Sequence, residues 1–358
     1  MRNPTPLCRR VLLPSREEEP TTTDFWCMDC HASNVTTAYV RQPKDSNFVS
    51  RARGLVAPDD DRYVILRCGE CGSVFLHPYY WRESFAVYFA ERYHRGYFPD
   101  NIHDGGGPSL TPPRYSKRSR QRFRRRAMTL LRQADRHPGP RIRVLDIGCA
   151  TGLLVQGFVD LGCEGYGVDV SKKAIDNACN KDLALKLGLF EHTDYPDRFF
   201  DLIVSIETFE HMASLDGILD RIRLKLKPTG NLVLQVPNDI EGYRAMSYPR
   251  IWWMVPPMHI RYFTLQSIRA IFASNGFVVQ SYRTTGSLGN DLRMILKWLL
   301  KRIGHSSLAE SSLFRIFCRC LTICCTPVDL TLNLIKRHTQ ILVTLNPESR
   351  PDVADTFE

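Results

Sequence analysis

Three groups of residues in this chain have types and spacings that can do chemistry. The first is Val-Leu-Asp-Ile-Gly-Cys-Ala-Thr-Gly at 144–152, where a β-branched run ends in Asp146 and then turns on Gly148 and Gly152. Glycine lets backbone pass close to a ligand with no Cβ in the way, and the helical run that follows opens with N–H groups that lack an intrahelical partner. Asp146, Gly148, Cys149, Ala150 and Gly152 are therefore candidate contacts to a nucleotide. A second acid, Asp169 with Val170 beside it, ends a short apolar run 23 residues after Asp146, and a carboxylate at a strand end can accept two hydrogen bonds from a ribose diol. The second group is Cys27, Cys30, Cys68 and Cys71, two Cys-x-x-Cys pairs. The third is Glu207, Glu210 and His211 together with His259. Histidine suits proton transfer near neutrality because its unperturbed pKa lies there.

The glycine turn is not a dinucleotide fingerprint. That motif needs G-x-G-x-x-G so that a pyrophosphate can lie on the helix end, and here Ala150 and Leu153 occupy the second and third glycine positions. The pattern of an acid, G-x-A-x-G and a second acid closely resembles motif I and its ribose partner in class I S-adenosylmethionine-dependent methyltransferases. The resemblance implies an α/β fold: a Rossmann-like seven-stranded sheet with helices on both faces. It also implies that the turn passes under the methionine part of the cofactor, that Asp146 orients the loop and that Asp169 holds the ribose, with Glu207 also on the cofactor side. The segment Phe200–Met212 resembles the fourth-strand motif of members that methylate small hydroxylated molecules, including quinone precursors. Some of those place a divalent cation near the matching Glu-x-x-Glu-His group, which would make Glu207, Glu210 and His211 ligands, or His211 a general base. A Pro-His-x-x-x-Phe-Ser/Thr turn borders the acceptor pocket in the same broad family, so the resemblance makes His259 the other candidate base. Pro237, Asn238, Trp252, Trp253 and Tyr262 are expected to wall that pocket.

Four thiolates in two such pairs form a closed tetrahedral zinc site, and a closed site is structural because no coordination position stays open. His31 could replace one cysteine. The module resembles the zinc-binding N-terminal region of methyltransferases associated with sugar and polysaccharide modification. A zinc ribbon can equally serve as a nucleic-acid adaptor. The other cysteines lack a disulfide pattern, and residues 1–24 lack a signal-peptide pattern, which suits a reducing, cytoplasmic setting.

The formal charge of +10 is concentrated, because residues 114–143 hold twelve Lys and Arg against the single acid Asp135. Residues 114–126 read as a solvated basic helix face, or as a peripheral contact with an anionic membrane or a phosphate-bearing acceptor. Nucleic acid is less favoured, since only Tyr115 and Phe123 interleave the charges.

The elements that must position these groups alternate from 141 onward, with strands expected at 142–146, 165–169, 201–206, 230–236 and 277–283 and helices near 152–161, 171–180, 213–226 and 264–275. Alternation of this kind produces a parallel sheet covered on both faces. The boundaries follow: a disordered tail over 1–24, a zinc-ribbon-like module over 25–80, and an aromatic and basic linker region over 81–136. Then come a cofactor-binding core over 137–287, an apolar helical insertion over 288–336 dotted with Arg and Lys, a last strand over 337–346 and a tail over 347–358. No apolar run is long enough to span a membrane. The expected activity is methyl transfer to a small or glycan-like acceptor, favouring O-methylation with a histidine base. The rivals are a non-catalytic zinc-ribbon and basic-helix binding protein, and a nucleic-acid methyltransferase.

Overall fold

The structure is a computed structural model that describes residues 27–41, 63–76, 116–212, 215, 217–243 and 259–348. The expected tail over 1–24, residues 81–115 of the expected linker region, residues 349–358 of the expected C-terminal tail and Trp252 and Trp253 lie outside the described residues.

The N-terminal module is built from β1 (Val35–Arg41), β2 (Tyr63–Cys68) and β3 (Val74–Leu76). The larger body opens with α1 (Lys117–Gln133), followed by β4 (Arg143–Ile147), α2 (Leu153–Val159), β5 (Glu164–Asp169) and α3 (Lys172–Asp176). It continues through β6 (Ala184–Leu187), β7 (Phe200–Ile206), α4 (Ile218–Lys225), β8 (Leu226–Pro237), the two-residue β9 (Arg261–Tyr262), α5 (Leu265–Ser274) and β10 (Phe277–Thr285). The helices α6 (Leu288–Arg302), α7 (Ser306–Glu310), α8 (Ser312–Cys324) and α9 (Thr326–Leu334) then precede β11 (Gln340–Pro347).

Seven strands form one sheet in the order β10-β11-β8-β7-β4-β5-β6. The β4, β5, β6, β7 and β8 pairings are parallel, whereas β11 runs antiparallel between β8 and β10. Alternation of side chains across the strands sorts the core into two layers. Leu145, Ile203, Leu232, Leu234 and Val343 face α4 and α5, meeting Leu219, Ile222, Ile268 and Phe272. Val144, Leu202, Val204, Val233 and Leu342 face α1 and α2, meeting Leu130, Leu131, Leu154 and Phe158. Each fully buried Leu, Ile or Phe contributes roughly 1.5–3 kcal/mol, so the apolar runs on β7 and β8 account for their central positions.

The basic helix is more than a solvated face. Ala127, Leu130 and Leu131 on α1 are fully buried, while most of its arginines point outward. Gly157 of α2 lies so close that a Cβ there would sit 2.6 Å from the Phe123 carbonyl oxygen, which brings the two helix backbones together. Arg120 forks onto Asp160 at 2.8 and 2.7 Å, and Arg136 reaches Asn231 at 3.1 Å.

Three further elements differ from the sequence expectation. The edge strand Ala184–Leu187 is an addition, because Leu-Lys alternation on a half-exposed edge lacks a buried periodicity. Helix 171–180 is only α3, capped by the Ser171 hydroxyl at 3.3 Å from the Ala174 N–H. Strand 230–236 starts earlier, at Leu226. The four helices α6 to α9 lie in the chain between β10 and β11, which are paired neighbours in the sheet.

Candidate functional site

At the C-terminal ends of β4 and β5 the chain builds an acid-lined crevice. Gly148, Ala150 and Gly152 have φ of 81°, 46° and 76°, and Ala150 is one of few non-glycine residues in that left-handed region. A Cβ on Gly148 would lie 2.3 Å from the Thr208 hydroxyl oxygen, so the turn packs directly against the segment that follows β7. The turn is held by Asp169, whose Oδ2 accepts from the Ala150 N–H at 2.8 Å and whose Oδ1 accepts from the Ser171 N–H at 2.8 Å. Asp146 is buried behind it, Cys149 is buried, and Val170 is half-buried beside Asp169. Burial, reinforced by the nearby Asp169, pushes the Asp146 carboxyl up to about 7. Two carboxylates lining a glycine-floored turn repel a pyrophosphate and suit a cation, so these residues fit the sulfonium and ammonium charges of S-adenosylmethionine.

This raised acid has a pH consequence. Asp146 keeps its proton to about pH 7 in the folded chain but releases it near 3.9 when unfolded. Its contribution to stability is thus full below about pH 4 and lost as pH rises through about 7. A cationic ligand favours the ionised form, so S-adenosylmethionine should bind more tightly as pH rises from 6 to about 7, by up to about tenfold per unit. Calorimetry in buffers of differing ionisation enthalpy should show proton release at pH 6, and Asp146→Asn should remove it.

Beyond β7 the chain turns through Glu207, another non-glycine residue at positive φ (52°). Backbone strain of this kind collects at functional sites. Glu207 accepts from the Gln235 side-chain amide at 3.1 Å, Gln235 also donates to Gln340 at 2.7 Å, and Arg126 of the basic helix donates to Gln235. A 3-10 turn, Phe209–His211, then carries Glu210 into the interior. Both Glu210 carboxyl oxygens are buried with no hydrogen-bond partner among the described residues, and His211 Nε2 lies 3.8 Å from Oε1. Burial first, and the Glu207 charge second, raise this carboxyl well above its ordinary range.

The structure brings His211 and His259 together, with ring centroids 5.1 Å apart. His259 Nδ1 lies 3.2 Å from Asp239 Oδ2, a buried acid just past β8. Glu210, His211 and His259 place ligand atoms within 4.8 Å of one another, so a divalent cation would sit among these three. Glu207 stands to the side, bound to Gln235. Orphaned carboxyl oxygens beside two imidazoles fit such an ion. Tyr262 is buried in β9 with Val74 as its ladder partner, its ring centroid 6.5 Å from that of His259. Asn238 donates to the His338 carbonyl at 2.7 Å and ties β8 to the last strand. Asp239, Gln235 and Arg126 carry no motif that singles them out, although the polar pair Asn238-Asp239 directly after Pro237 marks the strand end.

The four cysteines converge. Cys27 Sγ lies 3.5 Å from Cys71 Sγ, and Cys30 Sγ lies 3.6 Å from Cys68 Sγ. A tetrahedral zinc with Zn–S of about 2.3 Å requires sulfur separations of about 3.8 Å, so the donor set fits the ion closely.

Ubiquinone biosynthesis O-methyltransferase of Nitrobacter winogradskyi is 35% identical over 103 residues, covering 27% of this chain and 39% of that protein. The protein of the same name from Rhodopseudomonas palustris is 34% identical over 103 residues, covering 27% and 40%. The chain thus spans about two fifths of the length of these curated relatives. Among solved structures, geranyl diphosphate C-methyltransferase of Streptomyces coelicolor superposes with a TM-score of 0.44 at 15% identity, covering 74% of this chain and 98% of that one. The match to the family model described as a methyltransferase domain runs over residues 118–282, so it starts within the basic helix and includes both acids, both histidines and Glu210. Residues 118–282 are thus similar to a methyltransferase domain.

Proposed function

We propose that this chain is an S-adenosylmethionine-dependent methyltransferase acting on a hydroxyl group of a small acceptor, of the class that precedes quinones. The observation that carries the reading is the His259–Asp239 pair at 3.2 Å beside His211, whose own segment meets the glycine turn through the Thr208–Gly148 contact. S-adenosylmethionine supplies an electrophilic methyl group on a sulfonium. The chain's own residues hold the acceptor in line and take its proton. With Nδ1–H donating to Asp239, His259 offers Nε2 as the proton acceptor, and Asp239 stabilises the imidazolium that results. A divalent cation held by Glu210, His211 and His259 would occupy that Nε2 and would act in place of the base, lowering the acceptor hydroxyl's pKa as a Lewis acid. The domain boundaries, with a zinc-ribbon-like unit before the core and a helical insertion after it, belong to the same reading.

The decisive assay follows S-adenosylhomocysteine release with 3,4-dihydroxybenzoate, a nucleoside diphosphate sugar and RNA offered separately. Turnover is expected with the first, and His259→Gln should lower kcat by about 10²–10⁴. Turnover on RNA alone would overturn the reading, and turnover on the sugar alone would move the acceptor to the glycan class.

A peripheral membrane contact also belongs to this proposal. On α8 and α9, Leu313, Ile323 and Leu334 are 75%, 71% and 81% exposed, with Ile316 and Phe317 between them and Arg315 and Arg319 also exposed on α8. An amphipathic helix with flanking arginines suits an anionic lipid surface. Co-sedimentation with phosphatidylglycerol vesicles should fall sharply for Phe317→Glu. A comparable fall for the triple change Arg122, Arg124 and Arg125 to Glu would extend the contact to the basic helix. No described helix is long and apolar enough to cross a membrane.

A further inference from the structure

Nothing in a structural zinc knuckle requires it to touch a reaction site, yet here the two are joined through a shared sheet. The short strand β9 joins the module's sheet, giving the order β1-β2-β3-β9, with Phe75 opposite Arg261 and Val74 opposite Tyr262. The Leu76 N–H donates to the Ile260 carbonyl at 2.8 Å, and the Ile260 N–H donates to the Glu210 carbonyl at 2.8 Å. One hydrogen-bonded line therefore runs from the module, through the residue after His259, to the residue before His211.

A buried ion pair sits at the centre of that line. Asp29 lies between the ligands of the first knuckle, Cys27 and Cys30. Its Oδ1 accepts from Arg261 Nε at 3.0 Å and lies 2.9 Å from Nη2, and both side chains are 2% exposed. Asp29 Oδ2 accepts from the Ser73 hydroxyl, which follows the second knuckle. Arg261 Nη1 donates to the Met212 carbonyl, one residue past His211. The same guanidinium thus grips the zinc knuckle with one edge and the His211 segment with another, while its own backbone carries the His259 segment. A planar five-donor fork can do this and an ammonium cannot. The cofactor crevice is held by other means, through Asp169, Ala150 and Ser171.

We propose that Asp29 and Arg261 are positioning residues that couple the cysteine knuckle to the acceptor side of the site, so that an intact knuckle sets the spacing of His211 and His259 while leaving cofactor binding untouched. The proposal rests on the methyltransferase reading only for what the histidines do. The coupling itself is independent of it.

The test uses the full chain, zinc-loaded, as Asp29→Asn and Arg261→Lys. Zinc content by mass spectrometry and the Kd for S-adenosylmethionine by calorimetry are expected to stay within about twofold of the unaltered chain, because neither variant removes a thiolate or a crevice contact. The imidazole resonances of His211 and His259, assigned through His211→Gln and His259→Gln, should shift and lose their mutual ring-current and NOE signature. On 3,4-dihydroxybenzoate, kcat should fall at least tenfold with the KM for S-adenosylmethionine unchanged. Arg261→Lys, which keeps the charge but not the fork, should be as impaired as Arg261→Gln. Unchanged histidine resonances in either variant would overturn the coupling, as would parallel loss of cofactor binding. If Asp29→Asn does not fold, Arg261→Lys carries the same comparison, and chelation of zinc from the unaltered chain reports the resonances directly. An unaltered chain that shows the histidine signature but no methyl transfer sinks the functional reading and leaves the coupling standing.

Discussion

Asp169→Ala is expected to weaken binding of S-adenosylmethionine by about 100-fold or more, the largest single loss among the crevice residues. Its carboxylate accepts from two backbone N–H groups at 2.8 Å, one of them on Ala150 in the left-handed turn. Hydrogen bonds to a charged group are worth about 1.5–3 kcal/mol each, and both restrain a turn that an alanine would otherwise leave. The same oxygens keep lone pairs for a ribose diol, so the substitution removes a ligand contact and the scaffold of the turn together. Asp169→Asn should retain part of the affinity, because its single carbonyl oxygen can still accept from one N–H. Titration calorimetry reads both variants directly. A Kd for Asp169→Ala within threefold of the unaltered chain would mean that the crevice does not hold the nucleoside.

Replacing Cys68 or Cys30 by Ser should abolish zinc binding and unfold the N-terminal module while the seven-stranded sheet stays intact. The module's buried cluster consists of Cys27, Val35, Leu66, Cys68, Cys71 and Phe75. Half of that cluster is cysteine, so little apolar surface remains to hold β1, β2 and β3 without the ion, and cores this small seldom stand alone. Structural zinc contributes apparent free energies of about 10–16 kcal/mol in small modules at neutral pH. One zinc per chain by mass spectrometry, lost in either variant, is the expected result, with rapid proteolysis confined to residues before the basic helix. A purified chain with no zinc and an undigested module would refute this assignment.

Much of the site is legible in the order of the amino acids. Asp146, Gly148, Gly152 and Asp169 declare themselves because a glycine turn between a buried strand and a helix is a local geometry, and local geometry is written in consecutive residues. The cysteine pairs are legible for a similar reason, since each Cys-x-x-Cys is one turn presenting two thiols. The strands β7 and β8 follow from apolar runs that only a doubly covered sheet can bury. Legibility ends where position depends on a distant partner. The edge strand Ala184–Leu187 is half-exposed and acquires its identity from pairing with β5. Glu207 has the sequence of a ligand, but Gln235 draws it aside. Composition marks the basic run as a solvated face, and its described part, 116–126, is mostly exposed, but composition does not show that the positions just after it bury Ala127, Leu130 and Leu131 against the sheet.

By itself, then, the sequence determined the glycine turn, the thiol quartet and the alternating fold. These rest on period, composition and short spacing. The tertiary structure decided that His211 and His259 share one site, 48 residues apart in the chain, that Asp239 stands behind His259, and that Asp29 of the knuckle reaches Arg261 across 232 residues. A buried ion pair or a histidine pair is specified by where two segments meet. Nothing in either segment alone reports the other, because the free energy that joins them comes from the packing of the strands and helices between.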